Sequence, residues 1–163
     1  MNTVSRRDGQ LPRKTARQGK GAAMAVDITP EIRYHMVLND GSDRGISREP
    51  YMNWDYCLLA NDRGNKGYPV VFHTKGSGFT IEMTSSNWGG YSYLQAVGNG
   101  VKLVQEGDAH VWVPESGGQG ALFKSYENYL VYGTGSKGWL YAFNSILPNM
   151  GKEFAYWKLE KAG

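Results

Sequence analysis

Apolar and polar side chains alternate along short stretches of this chain, and the stretches recur at close spacing. Between residues 79 and 83, the apolar Phe79, Ile81 and Met83 alternate with polar residues. Alternation with a period of two is typical of a strand with one buried face. Turn residues separate the stretches, as at Gly98-Asn-Gly, where Asn-Gly tolerates the positive φ of a tight hairpin. The pattern predicts an all-β fold without a convincing helix.

Three segments of the chain repeat one order of four short strands, and the segments end alike. The closing strands carry Phe72, Trp112 and Trp157, which lie 40 and 45 residues apart. Self-similarity at this spacing, built from strands, indicates three structural repeats and twelve strands. The expected core consists of Met36, Leu38, Leu58, Val71, Phe72, Phe79, Ile81, Leu94, Leu103, Trp112, Leu122, Leu130, Leu140, Trp157 and Leu159.

Three four-stranded units in tandem resemble the β-trefoil fold. The closing Tyr156-Trp-Lys-Leu is similar to the fourth-strand signature of ricin-B-like lectins. The Gln-x-Trp of that family is not retained, because its first position is filled by Val70, His110 and Ala155 when the aromatics are aligned. The resemblance implies a β-trefoil domain and a carbohydrate-binding protein without catalysis.

The first residues differ in composition from the rest of the chain. Residues 1–26 are polar, rich in Arg, Lys, Gly and Gln, and lack periodicity, which predicts a disordered basic arm ahead of one domain at 27–163. Residues 1–25 carry a net charge of +5, so the remainder is close to neutral at −2. We favour a solvated arm over contact with nucleic acid.

Targeting signals are weak. No apolar run approaches the length of about 18 residues that spans a membrane. The basic residues near the start are followed by only a short apolar segment, so a standard secretory signal is not expected. The compartment is left open between the cytoplasm and export by another route.

No pattern of catalytic or metal-binding residues stands out. His35, His73 and His110 lack metal-ligand spacing, and Cys57 lies within an apolar run. No Gly-x-Ser-x-Gly elbow is present, and the glycine-rich stretches are not followed by a helix that could hold a phosphate. We therefore expect no enzyme, no metal and no cofactor.

Aromatic rings combine with Asp or Asn side chains in one cluster per repeat. The clusters lie at residues 51–56, 87–93 and 126–132. Sugar recognition needs this combination, because a ring offers an apolar face to a pyranose while carboxylates and amides fix its hydroxyls. One weak site per repeat would gain avidity from the others. The expected contact residues are Trp54, Asp55, Asn87, Trp88, Asn128 and Tyr129.

The same rings could instead build the core, so each tryptophan is assigned by its neighbours. Trp112 and Trp157 follow apolar alternation and are assigned to the core. Trp54 and Trp88 are flanked by polar residues or glycine and are expected to be exposed.

Two long connections offer an alternative to glycan binding. Residues 49–55 and 144–152 exceed a minimal turn, and long loops on a rigid scaffold often carry function. The trefoil resemblance also admits protease inhibitors and the receptor-binding parts of toxins. The alternative hypothesis is therefore a protein-interaction module that acts through these two loops.

Overall fold

The part of the chain that the structure describes is almost entirely strand and turn. The computed structural model describes residues 27–98, 100–117, 120–133, 137–143 and 155–163. The expected basic arm at 1–26 and the long connection at 144–152 lie outside these residues. The one helical element of the described residues is a 3-10 turn at Glu106–Asp108. None of the described residues form a helix that is long and apolar enough to cross a membrane.

Twelve strands follow one another in three groups of four. The first group is β1 (Arg33–Leu38), β2 (Ile46–Tyr51), β3 (Trp54–Leu59) and β4 (Val70–Lys75). The second is β5 (Gly78–Met83), β6 (Tyr93–Val97), β7 (Gly100–Val104) and β8 (Val113–Gly117). The third is β9 (Gly120–Ser125), β10 (Asn128–Tyr132), β11 (Leu140–Phe143) and β12 (Trp157–Lys161). The prediction of an all-β chain with twelve strands is confirmed.

The first and last strands of each group form a closed ring. Antiparallel pairs join β1 to β4, β4 to β5, β8 to β9, β9 to β12 and β12 to β1. Phe79 and Trp112 complete the ring between β5 and β8, because each main-chain N–H donates to the carbonyl of the other, at 2.9 and 2.7 Å.

The middle strands of each group form three hairpins, β2–β3, β6–β7 and β10–β11. The hairpins contact one another in pairs. Residue pairs Tyr56–Lys102, Gly100–Tyr141 and Leu58–Trp139 lie opposite each other across these contacts. The architecture is therefore all-β and trefoil-like, with a strand ring and three associated hairpins.

The aromatic residue that closes each repeat lies in the core, as expected. Trp112 donates its indole N–H to the Leu94 carbonyl at 3.3 Å, and Trp157 donates to the Leu130 carbonyl at 3.2 Å. Both acceptors lie in the first strand of a hairpin, so the second and third repeats make the same contact. Phe72 in the first repeat has no N–H and stacks on Phe123, with ring centroids 5.7 Å apart.

The expected core is confirmed except at Val71, Phe79, Leu122 and Leu159, which are half-buried. Neighbouring residues of a strand point to opposite faces, so Val71 cannot share the inward face of Phe72. In β9, Ala121 and Phe123 point inward, which turns Leu122 away from the core. Phe79 and Leu159 pack against the core from its edge.

The expected long loop at 49–55 is wrong, because those residues form the end of a hairpin. Glu49 lies opposite Tyr56, and Tyr51 lies opposite Trp54. The turn consists of Met52 and Asn53, whose φ angles of 52° and 70° have the sign that a type I′ hairpin turn requires. The sequence hides this turn, because methionine replaces the residues that usually adopt positive φ.

Candidate ligand-binding site

A buried carboxylate ties the first repeat to the second. Asp55, in β3, is 1% exposed and is the one fully buried charged side chain of the described residues. Its Oδ2 accepts the main-chain N–H of Asn87 at 2.6 Å, and its Oδ1 accepts the Asn87 side-chain amide N–H at 2.6 Å. Burial of a carboxylate is costly unless donors satisfy it, and these two short bonds supply them.

This pairing also fixes the orientation of the Asn87 amide. The amide nitrogen of Asn87 faces Asp55, because it donates to Oδ1. The amide oxygen of Asn87 is then directed away from Asp55, and the residue itself is exposed. The arrangement leaves a hydrogen-bond acceptor at the surface in one orientation.

Three aromatic rings from the two segments that Asp55 and Asn87 join line one pocket. Trp54, Trp88 and Tyr91 line a pocket of about 310 Å³ together with Asn53 and Leu103, which we call the amide pocket. The Tyr91 ring meets the Trp54 ring edge to face, with centroids 5.8 Å apart. Trp88 is 38% exposed and Trp54 is half-buried, so neither ring belongs to the core.

A lysine already covers one ring of the amide pocket. The Lys102 ammonium lies 3.7 Å from the centre of the Trp54 ring, within the range of a cation–π contact. Lys102 reaches Trp54 because β7 lies beside β3, where it is opposite Tyr56. Trp88 is consequently the more open ring of this pocket.

A second contact holds the segment that carries Asn87 and Trp88. The Arg48 guanidinium donates to the Ser85 hydroxyl at 2.7 Å and to the Ser85 carbonyl at 3.3 Å, and it lies 4.7 Å from the Tyr68 ring centre. Within the segment, the Tyr91 N–H donates to the Trp88 carbonyl at 3.0 Å. The segment is therefore tied to β2 at Ser85 and closed by its own turn, which reduces the ordering needed when a ligand binds.

Four of the six sequence-derived site residues are brought together here. Trp54, Asp55, Asn87 and Trp88 belong to two clusters that the sequence analysis treated as separate sites, yet they form one group. Asp55 is not available for direct contact, because it is buried and both of its oxygens are occupied by Asn87. Its place in the site is to position the amide.

The other two sequence-derived residues lie elsewhere. Asn128 and Tyr129 open β10 and are half-buried. They lie opposite Ser125 and Lys124, and the Lys124 ammonium is 5.4 Å from the centre of the Tyr129 ring. Neither residue lines the amide pocket.

Sequence reasoning missed Asn53, Lys102 and Leu103 as neighbours of the site. Tyr91 was inside the second aromatic cluster and could have been chosen with Trp88. Lys102 carried a weaker signal, the alternation of β7, but its contact with Trp54 depends on which strands are neighbours. That information is in the topology and not in the local pattern.

Cys57 is a packed residue, as expected. It is free and 1% exposed, and burial, followed by the nearby Asp55 charge, raises the pKa of its thiol far above the ordinary range. A thiol in this state is inert as a nucleophile. Within the described residues, no three His, Cys, Asp or Glu side chains are grouped closely enough to hold a metal.

His73 bridges two glutamates away from the amide pocket. Its Nδ1 lies 2.7 Å from Glu31 Oε2, and its Nε2 lies 2.8 Å from Glu82 Oε1. Burial lowers the pKa of His73, but the hydrogen bonds and charges of Glu82 and Glu31 outweigh burial, and the pKa is raised overall. This histidine has a clear structural partner on each ring nitrogen.

No family model and no curated protein matches this chain. Similar solved structures include lysenin in complex with phosphocholine, with 17% identity, 85% of this chain and 47% of that chain covered, and a TM-score of 0.67. A bifunctional alpha-amylase/subtilisin inhibitor from Oryza sativa is 17% identical, with 81% of this chain and 91% of the inhibitor covered and a TM-score of 0.64. A trypsin inhibitor from soybean is 13% identical, with 82% of this chain and 93% of the inhibitor covered and a TM-score of 0.58.

These likenesses support the trefoil-like fold and nothing finer, because the identities are low. The chain spans about half the length of the lysenin chains that it matches, 47% in one and 57% in the other. Proteins of one fold serve unrelated functions, so the residues of the site must carry the functional argument.

Proposed function

We propose that this protein is a β-trefoil of the lectin type, which binds glycans or glycoproteins without catalysis through the amide pocket. The observation that carries the proposal is the pairing of Asp55 with Asn87. It joins two aromatic clusters whose Trp54 and Trp88 line one pocket, and it orients the side-chain amide of Asn87, the residue next to exposed Trp88. A fixed acceptor next to an open ring is the combination that sugar recognition requires.

Each group of the pocket has a part in this proposal. Trp88 supplies the apolar face for the C–H side of a pyranose, because its ring is the more open one. The Asn87 amide oxygen and the exposed Asn53 amide would pair with hydroxyls. Trp54 and Tyr91 form the wall, and Lys102 adds positive charge over Trp54.

The third cluster enters the proposal as a separate, weaker site. Asn128 and Tyr129 combine an amide with a half-buried ring, but they do not line the amide pocket, as Asn53 and Trp88 do. A second weak site on the same molecule would raise avidity for glycans that present several copies of one sugar.

Glycan-array binding tests the proposal. Trp88→Ala should lose binding by about fivefold or more, since one ring stacked on a ligand contributes on the order of 1 kcal/mol or above. Asn128→Ala should weaken binding only on densely presented glycans. Val113→Ala, an exposed apolar residue outside the amide pocket, serves as control and should bind like the unchanged protein. Silence of the folded protein across a broad array would contradict the proposal.

A specific observation also favours the protein-interaction alternative. The turn of the β2–β3 hairpin exposes two large side chains, Tyr51 at 56% and Met52 at 74%. Met52 holds a positive φ, a strained state that tends to occur at functional sites. The similar inhibitor structures are named for subtilisin, alpha-amylase and trypsin. The second proposed loop, 144–152, lies outside the described residues.

Inhibition assays separate this alternative from sugar binding. The protein is assayed against serine proteases and alpha-amylase, alone and with the double change Tyr51→Ser and Met52→Gly. Inhibition that the double change removes, together with silence on the glycan array, would favour a protein partner. Glycan binding that survives the double change would favour the amide pocket.

A further inference from the structure

A second aromatic pocket also uses residues of the β2–β3 hairpin. Tyr51, Tyr56, Trp139 and Tyr141 line it together with Gly100 and Leu140, and its volume is about 270 Å³; we call it the ring pocket. Its residues come from β2, β3, β7 and β11, so the three hairpins meet at this point. Tyr51 and Tyr56 belong to the first aromatic cluster of the sequence, whereas Trp139 and Tyr141 belong to none of the three clusters.

Three of these rings meet one another edge to face, two pairs of them nearly at right angles. Tyr51 and Tyr56 make an interplanar angle of 83°, Tyr56 and Trp139 one of 79°, and Tyr51 and Trp139 one of 60°. Their centroids are 5.7, 6.3 and 6.0 Å apart in the same order. Three planes at such angles form adjoining walls of a box, the arrangement with which proteins enclose quaternary ammonium groups.

No protein cation fills this box within the described residues. The cations that lie over rings there are on Trp54, Tyr68, Tyr129 and Tyr132, and none is on a ring of this pocket. The Lys137 ammonium is held by the Glu49 carboxylate at 2.6 Å. Glu49 lies opposite Tyr56 across β2 and β3, so the carboxylate of this ion pair belongs to the same hairpin as two of the rings.

The floor of the pocket is kept low by a glycine. A Cβ atom at Gly100 would lie 3.4 Å from the Tyr56 ring. A side chain at this position would therefore contact one edge of that ring. The glycine leaves this side of the ring uncovered.

We infer that the ring pocket binds a quaternary ammonium group. The rings present the negative faces that attract a soft, weakly hydrated cation, and the apolar walls suit its methyl groups. The amide pocket differs, because Lys102 already covers Trp54 and would repel a cationic ligand there. The inference does not depend on the sugar-binding proposal, because it rests on other residues.

Calorimetric titration with tetramethylammonium chloride tests the inference on the full chain. Saturable binding is expected, and the uncharged choline isostere 3,3-dimethyl-1-butanol should bind about tenfold more weakly, since it has the shape without the charge. Equal binding of the two compounds, or no saturable binding of tetramethylammonium, would overturn the inference.

Variants at Tyr51 separate the ring from its bulk. Tyr51→Phe keeps the aromatic face and should bind tetramethylammonium within about threefold of the unchanged protein. Tyr51→Leu keeps much of the apolar contact without the π system and should lose about tenfold. Tyr126→Ala, an exposed ring outside this pocket, is the control and should change nothing. Equal affinity of the Leu and Phe variants would overturn the inference.

Two further arms identify the source of the ammonium group. Choline chloride presents the free cation, and phosphatidylcholine vesicles present it as a lipid headgroup, with phosphatidylglycerol vesicles as the matched control. Binding to choline and to phosphatidylcholine vesicles, lost in Tyr51→Leu, supports a headgroup. Binding to choline alone supports a free cation. Binding to neither contradicts the assignment of the pocket.

Discussion

The two aromatic pockets both use residues of the β2–β3 hairpin, yet they are built differently. The amide pocket is held by hydrogen bonds, since Asp55 fixes Asn87 and Arg48 fixes Ser85. The ring pocket is held by edge-to-face contacts among Tyr51, Tyr56 and Trp139. A cation of the protein already lies over a ring of the first, and none does in the second among the described residues. Similar residue types can therefore present different chemistry, according to what the neighbouring strands place beside them.

Asp55→Ala should have the largest effect, because it should disrupt the amide pocket and leave the ring pocket intact. The change leaves two Asn87 donors without their partner and opens a cavity beside β3, so we expect the free energy of unfolding to fall by about 3 kcal/mol. Glycan binding should be lost while the ring pocket is retained in the folded fraction. Urea unfolding gives the stability. Asp62→Ala, at an exposed position, is the control, and its free energy of unfolding should stay within about 0.5 kcal/mol of the unchanged protein. A similar loss of stability in the Asp55 and Asp62 variants would contradict the buried, hydrogen-bonded position of Asp55.

Lys102→Met should make the amide pocket resemble the ring pocket. Removal of the ammonium frees one face of Trp54, which carries about 1 kcal/mol of cation–π attraction. Calorimetry with tetramethylammonium should then show a second saturable binding event. Lys75→Met, at an exposed position away from both pockets, is the matched control. If the titration of Lys102→Met matches that of the unchanged protein, Lys102 is not what prevents the amide pocket from binding a cation.

Met52→Gly should change the β2–β3 turn without affecting either pocket. Glycine adopts a positive φ without a steric penalty, so we expect the free energy of unfolding to rise by about 1 kcal/mol. Met52 lines neither pocket, so both ligands should bind within about twofold of their original affinities. Chemical denaturation measures the gain. Lys75→Gly, where φ is not positive, should instead destabilise the protein.

His73 supplies the smallest effect and tests a region outside both pockets. Because its pKa is raised by Glu82 and Glu31 against the effect of burial, its contribution to stability is present below the ordinary histidine pKa of about 6.5 and is lost as pH rises through the raised value. His73→Gln should therefore cost more stability at pH 6 than at pH 8.5, by at most about 1 kcal/mol in these partly exposed pairs. Thermal unfolding at the two pH values measures it, and an equal cost at both would contradict the assignment.

The sequence was sufficient for the architecture because alternation and repetition are local signals. The strand groups and the burial of Phe72, Trp112 and Trp157 followed from spacing alone. Val71 and Leu122 were placed wrongly because their inward direction depends on register, which a run of adjacent apolar residues does not define.

Only some residues of the two pockets could be predicted from the sequence. Trp54 and Trp88 were identified by their polar neighbours, and the structure brings them to one pocket. The link between them, Asp55 with Asn87, joins residues 32 positions apart in the chain and required the topology. The ring pocket was hidden for the same reason, since Tyr51, Gly100 and Trp139 lie in three different repeats.

The indole N–H signals of the five tryptophans test the account most directly, through NMR titrations with an array-selected glycan and with tetramethylammonium. The glycan should shift the signals of Trp54 and Trp88, and tetramethylammonium should shift that of Trp139. The signals of Trp112 and Trp157, which are buried and hydrogen-bonded, should move with neither ligand. If both ligands shift the same tryptophans, or if neither shifts any, two chemically distinct pockets do not exist.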